Sequence, residues 1–151
     1  LAVMGFLVML GRERQLDREF SRGLGPVAYH APCHLRAQKI GFPGARVLGL
    51  LPDTDVRVVE ECSAVDGTWG MKAQHYATGR RYARKLIRGV RDLEPDVVVT
   101  DCTLSALRLA HETGLRVLHP IEAVAEAYGL PTDPSFRGGV PGGRRPEARE
   151  P

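Results

Sequence analysis

The sequence predicts an α/β protein built on an open, mostly parallel sheet with helices on both faces. Three observations carry that prediction. Strand-like and helix-like segments alternate four times between residues 27 and 129. DVVVT (96–100) is an uninterrupted β-branched run, the signature of a strand buried on both faces, as in parallel sheets. Each cysteine follows a strand-like run by two or three residues, which in a parallel sheet places all three at one edge.

The elements follow in order. LAVMGFLVML (1–10) is too short to cross a bilayer and reads as a core helix or strand. VAYH (27–30) is a short strand stopped by Pro32. CHLRAQKIGFPGARVLGLL (33–51) is partly helical and broken at Gly41-Phe42-Pro43-Gly44. VRVVE (56–60) is the second strand. Residues 71–93 form a helix whose Tyr76, Ala83, Leu86, Ile87 and Val90 share one apolar stripe, with basic residues opposite. DVVVT is the third strand, and TLSALRLAHETG (103–114) is a helix closed by a C-terminal glycine. LRVLH (115–119) is the fourth strand, and Pro120 opens a last helix over 121–129.

Composition excludes several classes. The 151 residues are 43% hydrophobic and 26% charged, enough for one ordinary core. The net charge of +3 lies at the ends: residues 26–136 carry thirteen basic and thirteen acidic side chains, which argues against a nucleic-acid face. Three cysteines make no disulfide framework. The expected organisation is an N-terminal helical segment over 1–25, an α/β domain over 26–130 and a disordered Pro/Gly/Arg-rich tail over 131–151. The first residue is not methionine, which suggests a piece of a longer chain.

The strand-exit cysteines are the candidate site. Thiols at helix starts favour the thiolate, a soft ligand for iron–sulfur clusters, zinc or copper(I). Cys33, Cys62 and Cys102 are the candidate ligands, and His34 and His30 are candidate fourth ligands or hydrogen-bond donors. Gly67 would let the backbone approach a cofactor. Trp69 would shield it or contact a partner. Asp66 and Asp101 flank the edge, with Arg36 or Lys72 as charge partners. Core thiols in an inert fold are the competing reading.

Four blocks in order, YHAPCHLRAQKIG (29–41), ECSAVDGTWGMK (61–72), VVVTDCTLSALRL (97–109) and VLHPIEAVAEAY (117–128), resemble the cysteine-rich CCG domain. That domain occurs in one subunit of heterodisulfide reductase and in the iron–sulfur subunit of anaerobic glycerol-3-phosphate dehydrogenase; the order of the blocks fits the latter branch best. The family pattern asks for five cysteines. Cys33 matches the first, Cys62 the second and Cys102 the fourth, but Ser63 and Ser105 stand at the other two, and Ala64 replaces the glycine of the Cys-Cys-Gly. A five-thiolate cluster is therefore excluded.

The resemblance implies a 4Fe–4S or 3Fe–4S cluster on the three remaining thiolates, with His34, Gly67 and Trp69 around it. It implies a non-catalytic electron-transfer component between a flavin dehydrogenase subunit, or an upstream ferredoxin-like domain, and a quinone or disulfide acceptor. Its place would be the cytoplasm, peripheral to the inner membrane face through partners, with no spanning helix. The alternative is a structural or docking domain that has lost its cluster, and a further one is a thiol-dependent enzyme.

Overall fold

The computed structural model describes residues 3–132. Its elements are α1 (Val3–Arg12), β1 (Gly25–His30), α2 (Cys33–Ala37), α3 (Pro43–Leu48), β2 (Thr54–Val59), a 3₁₀ turn at Trp69–Met71, α4 (Ala73–Asp92), β3 (Val97–Thr100), α5 (Thr103–Thr113), β4 (Val117–Leu118) and α6 (Pro120–Ala127). The four strands pair in the order β2-β1-β3-β4, all parallel. This is the open α/β arrangement expected, with the cysteines at the carboxyl ends of the strands.

Alternation along the central strands divides the core in two. Val27 and Tyr29 of β1, Val97 and Val99 of β3 and Leu118 of β4 face one side. There they meet Met4 of α1, Val47 and Leu48 of α3, and Val124 and Ala127 of α6. Ala28, Val98 and Val117, one residue out of phase, face the other side and meet Leu86 and Val90 of α4 and Leu109 of α5. Burial on both faces explains why DVVVT needs no polar alternation. The stripe expected on α4 is present: Ala83, Leu86 and Val90 are fully buried, and Tyr76 and Ile87 partly so.

The boundaries differ from the sequence reading in physical ways. The segment LRVLH pairs only over Val117–Leu118, because His119 turns away to cap α6. Its imidazole accepts from Ile121 N–H, and the Glu122 side chain accepts from His119 N–H, a reciprocal cap with Pro120 in the first turn. Gly114 closes α5 at φ 70°, as its glycine predicted. From Val3 on, the first apolar run is helical as α1, which buries only Met4 fully and packs on α3 and α6. No helix among the described residues is long and apolar enough to cross a membrane. Of the tail over 131–151, all but the first two residues lie outside the described ones.

The chain moves outward from β1 to β2, then returns across β1 through α4 to reach β3. That reversal opens a crevice beyond the carboxyl ends of β1 and β3, the usual place for function in such sheets.

Candidate functional site

Three loops leave the sheet at this crevice, and one imidazole ties them together. His30, the last residue of β1, is 1% exposed. Its Nε2 is 3.1 Å from the Glu61 carbonyl beyond β2, and its Nδ1 is 2.9 Å from the Thr100 hydroxyl at the end of β3. The carbonyl can only accept, so Nε2 carries the proton and Nδ1 accepts from Thr100. Burial holds the ring neutral and pushes its pKa down to about 4, with the nearby Arg36 and His34 charges adding to the effect and the Glu61 carbonyl opposing it. His30 is thus a satisfied strand-end histidine rather than a ligand.

Beside it, the Tyr29 hydroxyl donates to the Asp101 carboxylate across the same crevice. Burial, reinforced by that carboxylate, lifts the phenol well above its usual range, so it stays a donor. Asp101 therefore pairs with a phenol and not with the expected Arg36 or Lys72. Arg36 instead donates to the Glu60 carbonyl at 2.6 Å.

The loop after β2 is folded tightly on α5. Ala64, Asp66 and Gly67 adopt left-handed φ values of 53°, 41° and 61°. A Cβ on Gly70 would collide with the Ala64 carbonyl oxygen, so only glycine fits there. Arg108 of α5, 3% exposed, donates to the Gly70 carbonyl at 2.5 Å and lies over the Tyr76 ring. Its other terminal nitrogen is 3.6 Å from Glu112, an ion pair without hydrogen-bond geometry. The signal for this anchor was in the sequence: Arg108 and Glu112 stand at i,i+4 on one helix face.

The predicted site residues fall as follows. Cys33 begins α2 and is exposed, as is His34 after it. Cys62 is exposed, and its Sγ accepts from Ala64 N–H at 3.3 Å. Cys102 is the N-cap of α5, its Sγ accepting from Ser105 N–H at 3.5 Å. Gly67 needs its positive φ, but a Cβ there would touch nothing, so no close approach explains it. Trp69 stacks on His75 with ring centroids 4.4 Å apart and remains partly exposed.

Ser63 follows Cys62, and Ser105 lies one turn beyond Cys102. Ser63 Oγ and Ser105 Oγ are 2.8 Å apart, and both residues are buried. The positions where the family pattern asks for thiolates are therefore brought together and filled by hydroxyls bonded to each other.

This arrangement corrects the cofactor expectation. Among the described residues, no group of three or more His, Cys, Asp or Glu side chains is placed to hold a metal ion. The 4Fe–4S or 3Fe–4S cluster on Cys33, Cys62 and Cys102, and the electron-transfer role built on it, are overturned by that donor geometry. The physical reasons are local. Cys62 and Cys102 turn their sulfurs to the backbone N–H groups of Ala64 and Ser105, and Ser63 and Ser105 bond to one another. A neutral hydroxyl pair offers an iron–sulfur cluster none of the soft anionic donors it requires.

The fold and the strand-exit cysteines define the class: residues 27–109 match the cysteine-rich CCG domain, and the chain belongs to that family. Over 119 residues, 76% of this chain, it is 31% identical to the anaerobic glycerol-3-phosphate dehydrogenase subunit designated C in Escherichia coli K12. It has the same identity to the corresponding subunit of Escherichia coli O157:H7. The match spans 30% of the length of these relatives.

Proposed function

We propose that the chain is a clusterless docking domain, a non-catalytic component of an assembly related to the anaerobic glycerol-3-phosphate dehydrogenase. The observation that carries this reading is the buried Ser63–Ser105 bond. It keeps the cysteine-site loops packed without metal, so the fold and its outer edge persist while the redox role does not. The partner is a flavin dehydrogenase subunit of the kind such an assembly contains, met in the cytoplasm and, through that partner, at the inner membrane face. The docking face is the carboxyl edge of the sheet, where Cys33, His34, Cys62 and Trp69 are accessible. An aromatic ring and soft thiols beside exposed polar groups suit a protein contact of modest size.

The experiment has two arms. Anaerobic reconstitution with iron and sulfide is expected to leave the protein colourless, without stoichiometric iron or a cluster EPR signal. Co-expressed with the flavin subunit, the chain is expected to co-elute on size exclusion. Trp69→Glu is expected to abolish co-elution, while Arg57→Glu on the far side of β2 leaves it intact. Stoichiometric iron with an EPR signal, or co-elution indifferent to Trp69→Glu, overturns the proposal.

A further inference from the structure

A separate cavity lies at the same end of the sheet, beyond β3 and β4. It exists because β4 stops after two residues while α5 and α6 begin on opposite faces, leaving their first turns apart. Val117 and Leu118 line it from β4, and Ala106 and Ile121 from the two helices. Its volume is about 220 Å³. An apolar cavity of roughly 150 Å³ accepts benzene, so this one has room for a single ring with a small substituent and not for a fused pair.

Its polar groups are few and specific. The Thr103 hydroxyl has no hydrogen-bond partner among the described residues, and Thr103 lines the cavity. His119, also lining it, accepts from Ile121 N–H through Nδ1. The proton of the neutral ring therefore sits on Nε2, an uncommitted donor. Glu122 commits Oε2 to His119 N–H and keeps Oε1 as a free acceptor. Thr100 also borders the cavity, but its hydroxyl is taken by His30. An anion is disfavoured, because a carboxylate lines the wall and the reciprocal cap already occupies the start of α6.

We propose that this cavity is a binding site for a small neutral hydroxylated ring, a phenol or cyclic alcohol. Its ring fills the apolar part. Its hydroxyl accepts from the His119 imidazole N–H and donates to the Glu122 carboxylate at the same time. The site shares the carboxyl end of the sheet with the docking face, and Thr100 and Thr103 flank Cys102, but no thiol lines it.

The test is a titration of the ¹⁵N-labelled full chain with p-cresol and, in parallel, with toluene, which has the same ring and methyl group but no hydroxyl. Saturable shifts are expected at the amides of Thr103, Ala106 and Ile121. Toluene is expected to bind at least about ten-fold more weakly, because it makes neither of the two hydrogen bonds. Ala106→Leu fills the cavity and is expected to abolish the p-cresol shifts. Ile121→Trp blocks the mouth from an exposed position, so the result does not hang on one core variant. Equal binding of toluene, shifts confined to other residues, no saturable shift, or binding that survives both variants overturns the site.

Discussion

Ser63 and Ser105, one in the loop after β2 and the other in the first turn of α5, share a buried hydrogen bond of 2.8 Å. Removing one hydroxyl leaves the second desolvated and without its partner, the costly case for a buried polar group. Ser63→Ala and Ser105→Ala are each expected to lower stability by about 1–2 kcal/mol. The double variant is expected to cost less than the sum, since no orphan remains. Urea unfolding of the four proteins gives the coupling; strict additivity would refute it.

The second prediction concerns pH. His30 has a folded pKa of about 4 against an unfolded value near 6.5. The unfolded chain therefore binds the extra proton between these values. The stability contributed by the neutral, doubly bonded ring is full above pH 6.5 and is lost as pH falls toward 4. The loss over that window is about 3 kcal/mol at most. His30→Gln is expected to be less stable at pH 7 and to flatten this part of the profile. Urea midpoints across the window measure it, and an unchanged slope would remove His30 from the account.

A third prediction addresses Ala64, which adopts φ 53° where the family pattern has glycine. A left-handed alanine costs about 1–2 kcal/mol relative to its normal conformation, partly offset by glycine's greater freedom when unfolded. Ala64→Gly is accordingly expected to stabilise the chain by about 0.5–1 kcal/mol. Thermal melting decides the sign.

The fourth compares two arginines. Arg108 is buried, holds the Gly70 carbonyl and faces a nearly buried Glu112. Arg57 pairs with Asp55 in the open on β2. Arg108→Ala is expected to cost roughly 2 kcal/mol, because it orphans the buried Gly70 carbonyl, while Glu112 keeps its ion pair with Arg80 at 2.8 Å. Arg57→Ala is expected to cost no more than about 0.5 kcal/mol. Proteolysis within the loop 60–72 should rise only in the first.

Most of the fold was legible because hydrophobic period and punctuation agree. Val97–Val99, the α4 stripe, Gly114 and Pro120 each state their element locally. The site was half legible. Strand exits placed Cys33, Cys62 and Cys102 at one edge, but nothing local reveals where a sulfur points once a loop is folded. The left-handed turns at Ala64 and Asp66 and the N-cap role of Cys102 decided that, and all three are set by tertiary packing. His30 shows the same limit: Val59, Thr100 and Glu61 must come together before its two bonds exist. The Ser63–Ser105 contact was implicit in two substitutions at positions that a shared cluster would bring together.

The strand order also bears on how the chain reaches this state. β1 pairs Val27 with Val56 on one side and with Val97 on the other. Closing the second loop spans more than twice as many residues as the first, an extra entropic cost of about 0.8 kcal/mol before any contact offsets it. Folding kinetics should therefore order the two pairings: Val56→Ala slows refolding, while Val97→Ala mainly speeds unfolding. By that sequence of events the crevice and its serine bond form last, after the barrier has been crossed.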